Sequence, residues 1–202
     1  MAAVEFFFDC SSPWTYLAFE AVTRAAEEDG FDVDWRPILV GGVFNAANPS
    51  VYQNRDNPVP AKAAYMAKDL ADWAAYAGIK ITWEPTVFPV NAVKCMRGCI
   101  AAGRLDKMVD HARAVFEAYW GDDQDVSQDD VLGAICDRIG LDRDAFFAAI
   151  AEPEIKDELK ANTAEVVERG GFGSPTIFVS GEDMYFGNDR MPLVRAAVAR
   201  LA

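Results

Sequence analysis

The stretch that decides the fold is residues 4–19, which read VEFFFDCSSPWTYLAF. Its first five residues are almost continuously apolar, a pattern typical of a strand buried on both faces of a sheet. Ser12 is a preferred helix N-cap, and Pro13 suits the first helical position. Backbone N–H groups and a hydroxyl are therefore expected at the positive end of a helix, an arrangement suited to holding an anion or a thiolate.

Further elements can be predicted on either side of a long middle segment. The first helix is expected to end at Asp29-Gly30, and residues 31–36 alternate as in a strand parallel to the first. Near the C-terminus the pattern predicts a helix over 154–169, a β-hairpin over 174–186 and a last helix capped by Asn188 and Asp189. This order is typical of a small α/β domain.

The middle segment has two predicted parts. Residues 41–60 are rich in Gly, Asn, Ser and Pro, which predicts a long loop that is functional or lies over a pocket. Residues 61–152 carry apolar side chains at helical spacing, with a capping box that starts at Ser127. We therefore interpret the chain as an α/β domain, residues 1–40 and 154–202, interrupted by an all-helical insertion, residues 41–153.

Composition argues against several classes of main partner. The formal net charge of −13 disfavours nucleic acid and anionic membranes as partners, and no apolar stretch approaches the roughly 18 residues of a membrane helix. The N-terminal residues lack a signal-peptide pattern, so a cytoplasmic location is expected.

Four scattered cysteines without a C-x-x-C motif are expected to be reduced and packed. With His111 as the single histidine, we expect no metal site and no Ser-His-Asp triad.

Several short motifs, in the same order along the chain, resemble one family. They are Asp9-x-x-Ser12-Pro13-x-x-Tyr16-Leu17-Ala18, Pro60-Ala61-Lys62, Phe88-Pro89, Gly173-Ser174-Pro175-Thr176 and Phe186-Gly187-Asn188-Asp189-Arg190. The set resembles the 2-hydroxychromene-2-carboxylate isomerases and the related kappa-class glutathione transferases. This resemblance implies a thioredoxin-like fold with a helical insertion.

The resemblance also implies glutathione as a cofactor. Ser12 would donate a hydrogen bond to its thiolate, and Pro175 would be the cis-proline that exposes the backbone of Ser174. Further cofactor-binding positions would be Asn48, Lys62, Gly187, Asn188 and Asp189. Because residues 12–15 read Ser-Pro-Trp-Thr, with no thiol at either end, dithiol redox chemistry is not expected at this turn.

Asn54 and Arg55 match a pair that the isomerases place near the carboxylate of their aromatic substrate, and an arginine can contact a carboxylate through two hydrogen bonds. The implied reaction is isomerisation of 2-hydroxychromene-2-carboxylate, or a similar aromatic substrate, to trans-o-hydroxybenzylidenepyruvate. A kappa-like glutathione transferase and a non-catalytic protein that binds a thiol or a partner protein remain as alternatives. The family resemblance also implies a homodimer.

Overall fold

The computed structural model describes residues 4–201, which form a four-stranded sheet surrounded by helices. The strands are β1 (Val4–Phe8), β2 (Val33–Pro37), β3 (Thr176–Val179) and β4 (Asp183–Phe186), in the spatial order β2-β1-β3-β4. β1 is parallel to β2 and antiparallel to β3, and β3 is antiparallel to β4. The predicted parallel strand pair and C-terminal hairpin are confirmed.

Successive side chains of β1 enter two different cores, because side chains alternate between the faces of a sheet. Phe6 and Phe8 lie in the larger core, which α1 (Pro13–Asp29) covers. Phe7 points the other way, into a smaller core with Phe178 and Val166. The apolar run is continuous because both faces of this central strand are buried.

Eight helices and one π-helical turn separate β2 from β3, and a last helix follows β4. They are α2 (Val40–Ala47), α3 (Ser50–Asp56), α4 (Pro60–Ala77), α5 (Val93–Gly103), α6 (Met108–Phe116), the π-helical turn Glu117–Gly121, α7 (Asp129–Ile139), α8 (Arg143–Ala149), α9 (Pro153–Glu168) and α10 (Met191–Ala199). Residues within 4–201 form no helix with the length and apolar character needed to cross a membrane.

Three local predictions are wrong. Residues 41–60 are not a structureless loop, because α2 and α3 occupy most of that stretch. The Val40 amide, the first of α2, donates to the carboxylate of Asp9, which lies 31 residues earlier in the chain, so local sequence cannot reveal this cap.

The predicted helix starts also differ. Ser127 does not cap α7, because its hydroxyl bonds to Asp125 instead. Asn188 and Asp189 form a separate 3-10 turn, and Arg190 is the N-cap position of α10.

The helices of the middle segment share the larger core with the sheet. Met96, Phe116 and Leu132 belong to the same buried cluster as Phe6 and Phe8. A thioredoxin-like sheet and its intervening helices are therefore stabilised by one continuous body of apolar side chains. The division into residues 1–40 with 154–202 and residues 41–153 stays a prediction about sequence organisation.

Candidate active site

The site is built around the turn between β1 and α1. Ser12 has an extended backbone conformation, and its Oγ accepts a hydrogen bond from the Thr15 amide at 3.3 Å, as the predicted N-cap requires. The same Oγ lies 3.4 Å from the carbonyl oxygen of Ser174, to which it donates. Ser12 is only partly buried, so its hydroxyl lies at the positive end of α1 and at the protein surface.

A second turn, immediately before β3, lies against the Ser12 turn. The Ser174–Pro175 peptide bond is cis. The buried Ser174 hydroxyl accepts from the Asp9 amide at 3.0 Å and is hydrogen-bonded to Thr15 Oγ1 at 2.8 Å. The Ser174 amide donates to no group within residues 4–201. The two turns therefore face each other with one backbone donor left available.

Asp9 stabilises the two facing turns through hydrogen bonds to backbone amides. Its carboxylate is buried and accepts hydrogen bonds from the amides of Ser11 and Val40, both at 2.8 Å. Burial raises the pKa of this carboxyl, and the two amide donors oppose that rise. One side chain thus joins the end of β1, the Ser12 turn and the start of α2.

Gly187 and the two residues after it extend the site along the sheet edge. The Gly187 amide donates to the Pro175 carbonyl at 3.3 Å, and Gly187 has a φ of 105°. The following 3-10 turn, Asn188–Arg190, packs against α1. The Asp189 carboxylate is paired with the Arg190 guanidinium. The structure therefore brings Gly187, Asn188 and Asp189 beside the Ser12 and Pro175 turns.

Asn48 reaches the same region from the end of α2, whereas Lys62 does not contact it. Asn48 Nδ2 donates to the carbonyl of Phe172 at 3.3 Å, next to the Gly173–Pro175 turn. The half-exposed rings of Phe172 and Phe186 contact each other here, with centroids 4.4 Å apart. Lys62 is exposed on the first turn of α4, and within residues 4–201 its amino group makes no ion pair or hydrogen bond.

Arg55 lies over a group of packed aromatic rings, one of which is hydrogen-bonded to the segment just before Ser12. Its guanidinium carbon is 5.6 Å from the centroid of the Phe88 ring, and Phe88 packs against Trp83 and Trp120. Trp120 Nε1 donates to the carbonyl of Cys10 at 2.8 Å. Arg55 pairs with no carboxylate of residues 4–201, unlike most arginines of this acidic chain. Asn54 is exposed on the same helix, α3.

The cysteines do not offer a nucleophile at this turn. All four are free and buried, as predicted. A hydrogen bond with Cys95 together with burial raises the pKa of the Cys10 thiol well above its ordinary value. Among residues 4–201 there is also no group of three or more His, Cys, Asp or Glu side chains placed to hold a metal ion.

Sequence reasoning assigned no role in the site to three residues that organise it, although one of them, Asp9, belongs to a quoted motif. Asp9 and Thr15 are polar yet buried, and both bond across the two turns. A lone carboxylate at the end of a buried strand was the available signal for Asp9. Trp120 lies far from the turn in sequence, and no local pattern indicates its bond to Cys10.

Comparison with known proteins agrees with this architecture. A family model described as a DsbA-like thioredoxin domain matches residues 3–199. The fold and the paired turns thus define a DsbA-like thioredoxin-domain protein. A 2-hydroxychromene-2-carboxylate isomerase of Pseudomonas putida is 30% identical over 200 residues, which cover 98% of this chain and 95% of that protein. The chain belongs to the 2-hydroxychromene-2-carboxylate isomerase family, and it is an enzyme of the isomerase class.

Two further relatives give the breadth of the similarity. The human glutathione S-transferase kappa 1 is 27% identical over 208 residues, which cover 95% of this chain and 88% of that protein. A solved structure of a 2-hydroxychromene-2-carboxylate isomerase superposes with a TM-score of 0.83 at 26% identity, covering 98% of this chain and 95% of that one. The predicted thioredoxin-like α/β fold is confirmed.

Proposed function

We propose that this enzyme is a glutathione-dependent isomerase of 2-hydroxychromene-2-carboxylate, or of a similar aromatic carboxylate, forming trans-o-hydroxybenzylidenepyruvate or its equivalent. One observation carries the proposal. Ser12 places a hydroxyl at the positive end of α1 directly opposite the Ser174–Pro175 turn, in a turn that contains no accessible thiol. We name the Ser12 turn and the facing Ser174–Pro175 turn the cradle. Because the cradle suits a thiolate but has no thiol of its own, we infer that a bound ligand supplies the sulfur.

The residues around the cradle fit glutathione. The unused Ser174 amide suits a backbone pairing with the cysteinyl part of the tripeptide. The first amides of the Asn188–Arg190 turn have no partner within their own turn and suit the γ-glutamyl carboxylate, while Asp189 suits the ammonium group. Asn48 lies beside the Gly173–Pro175 turn. Lys62, exposed on the first turn of α4, would contribute a positive charge to the binding of the anionic tripeptide.

Glutathione held by Ser12, Ser174 and the Asn188–Arg190 turn would supply a nucleophilic thiolate for reversible addition to an unsaturated carbon of the ring-opened substrate, the chemistry that permits rotation about that bond. The chain's own contribution is electrostatic and positional. The Ser12 hydroxyl would turn its single hydrogen from the Ser174 carbonyl, a long contact of 3.4 Å, toward the sulfur. The α1 N-terminus would lower the pKa of a thiol placed there. Ser174 and Thr15 hold the two turns at a fixed separation.

The proposal is tested with Ser12→Ala and with Ser11→Ala as its matched control. Ser11 lies in the same turn, and its hydroxyl bonds neither to Ser12 nor to the facing Ser174–Pro175 turn. We expect Ser12→Ala to lose roughly 100-fold in kcat, in line with the loss of one donor to a developing anion, while Ser11→Ala retains wild-type activity. Isomerisation that proceeds equally well without glutathione would defeat the proposal.

Arg55 is proposed to bind the substrate carboxylate. It is exposed, held over the Phe88 ring and not neutralised by an acid of residues 4–201. We expect Arg55→Ala to raise KM for the carboxylate substrate about tenfold with little change in the affinity for glutathione. Arg24→Ala is the control, because it removes another exposed arginine that pairs with no acid of residues 4–201. An unchanged KM would remove Arg55 from the site.

The kappa-class relatives support a second candidate, a glutathione transferase, because the same cradle serves conjugation. Accumulation of a glutathione conjugate without isomerised product would favour it. Absence of glutathione binding in calorimetry would instead favour a non-catalytic protein that binds a partner. A cytoplasmic location is part of our proposal, since four unpaired cysteines are typical of a reducing compartment.

A further inference from the structure

A surface groove of about 480 Å³ opens between α1, the end of α4 and the π-helical turn Glu117–Gly121. Its lining shares no residue with the cradle, with the Asn188–Arg190 turn or with α3. Volumes of about 300–1,000 Å³ are typical of small-molecule sites, and π-helical turns are frequent at functional sites. The groove is therefore a candidate binding site distinct from the one proposed for the reaction.

Tyr16 brings an unpaired hydroxyl to this groove. The residue is only 6% exposed, and its ring is stacked on that of Phe116 with the centroids 5.0 Å apart. The hydroxyl bonds to no group within residues 4–201, yet it is not enclosed, because the enclosed side-chain atoms left unpaired in that range belong to Arg97 and His111. Since Tyr16 lines the groove, its hydroxyl is accessible from there. A ring held in one place presents this group without loss of side-chain freedom when a ligand binds.

The charged side chains of the groove are balanced in number and only partly used. Acidic and basic side chains line it equally, although the whole chain carries a net charge of −13. Glu20 Oε1 accepts from Arg113 Nε at 2.9 Å, and Glu117 Oε2 pairs with Arg138 at 2.8 Å. Within the described part of the chain, the second oxygen of each carboxylate and the two terminal nitrogens of Arg113 have no hydrogen-bond partner. The groove thus offers both acceptors and donors to a charged ligand.

Arg113 and Glu117 lie one helical turn apart on the same side of their helix. The Glu117 amide donates to the Arg113 carbonyl, and side chains four positions apart on a helix are about 5–6 Å from each other at Cβ. Burial, with the Glu117 and Glu20 carboxylates nearby, raises the pKa of Tyr16, so its hydroxyl stays protonated at neutral pH and can both donate and accept. A ligand with opposite charges at a matching separation would therefore find a partner for each of them.

We propose that this groove binds a small zwitterion about the length of a dipeptide. The ammonium group of the ligand bonds to the free oxygen of Glu117 and to the Tyr16 hydroxyl, and its carboxylate bonds to the terminal nitrogens of Arg113. Hydrogen bonds between charged groups at both ends provide the selectivity, because a ligand with one charge leaves the opposite partner unmatched. The inference is independent of the proposed reaction, since no residue of the cradle takes part.

Calorimetry with three probes tests the charge requirement. Glycylglycine carries both charges, N-acetylglycine lacks the ammonium group, and glycinamide lacks the carboxylate. We expect glycylglycine to bind at least about tenfold more tightly than either of the other two, since each of them loses the charge-assisted hydrogen bonds at one end. Equal affinity for the three probes, or no binding of glycylglycine, would overturn the proposal.

Two variants with matched controls test the assigned contacts. Tyr16→Phe removes only the unpaired hydroxyl, so it should keep the wild-type melting temperature and bind glycylglycine about fivefold more weakly. Tyr185→Phe, whose lost hydroxyl bonds to Asp183 outside the groove, should bind glycylglycine as wild type does. Glu117→Gln should weaken glycylglycine binding about tenfold and leave N-acetylglycine binding unchanged, whereas Glu182→Gln, an exposed change in the hairpin, should alter neither. Wild-type affinity for glycylglycine in Tyr16→Phe or in Glu117→Gln contradicts the assigned contacts.

Amide chemical shifts locate the bound probe. Gly78 and Gly121 line the groove, so glycylglycine should shift their amide signals and leave those of Gly173 and Gly187, beside the cradle, in place. Shifts centred on Gly173 and Gly187 would mean that the probe binds at the cradle, and the proposal would then be wrong. Catalytic assays take no part in these tests, so the proposal can fail while the proposed function stands.

Discussion

Asp9 shows how much of the site depends on a single buried carboxylate. It bonds the amides of Ser11 and Val40, while its own amide bonds Ser174. Three segments that are far apart in sequence are therefore fixed relative to one another. Such a residue acts through the groups that it positions, and it has no contact with reacting atoms in our proposal.

The role of Asp9 predicts the behaviour of Asp9→Asn. An asparagine can accept from only one of the two amides and turns its NH2 group toward the other, which leaves a buried donor unpaired at a cost of about 1–3 kcal/mol. We expect urea unfolding to show this loss and calorimetry to show weaker glutathione binding. Asp32→Asn, a change at an exposed residue that makes no ion pair inside the described range 4–201, should show neither effect. Equal behaviour of the two variants would contradict the positioning role.

At the scale of elements, the candidate site is formed by turns that lie next to one another at the ends of strands. The Ser12 turn and the Ser174–Pro175 turn meet because β1 and β3 are antiparallel neighbours. The Gly187 turn joins them because β4 pairs antiparallel with β3, so that Phe186 lies opposite Thr176. Gly187 joins the last two turns, and its φ of 105° lies in a region that favours glycine.

Gly187→Ala is therefore expected to disturb the site more than an equivalent change elsewhere. The new Cβ would lie 3.0 Å from Asp189 Oδ1, and the positive φ costs about 1–3 kcal/mol. Gly181→Ala, at the tip of the hairpin, has a similar φ of 83° but open space around its Cβ. Both variants should melt earlier than wild type, but only Gly187→Ala should bind glutathione several-fold more weakly. Equal affinities in calorimetry would show that Gly187 has no role in binding.

At the scale of the whole molecule, one core joins the sheet to the intervening helices. His111 lies fully buried in this region, with Nδ1 3.5 Å from the Cys99 sulfur and with no partner for Nε2 within residues 4–201. Burial lowers the pKa of His111 to about 4, from an ordinary value of 6.5. The folded protein therefore holds this ring neutral where the unfolded chain would protonate it.

Stability is expected to fall on acidification for this reason. Between pH 6.5 and about 4 the unfolded state binds the extra proton, so the free energy of unfolding decreases as pH decreases. The contribution of His111 between pH 7 and pH 5 is about 2 kcal/mol. Urea unfolding of wild type and His111→Leu at both pH values checks this. From pH 7 to pH 5 the wild type should lose about 2 kcal/mol more of its free energy of unfolding than His111→Leu does. An equal change in the two proteins would refute the role of His111.

The sequence by itself determined the strand-turn-helix around Ser12, the parallel strand pair, the hairpin and the family motifs. These depend on local periodicity, capping and turn chemistry, which neighbouring residues encode. Only the tertiary structure decided that residues 41–60 form helices, that Asp9 caps α2, and that Asn188 and Asp189 form their own turn. The physical reason is that these features are stabilised by hydrogen bonds and packing between residues far apart in the chain, whose energies no local pattern contains.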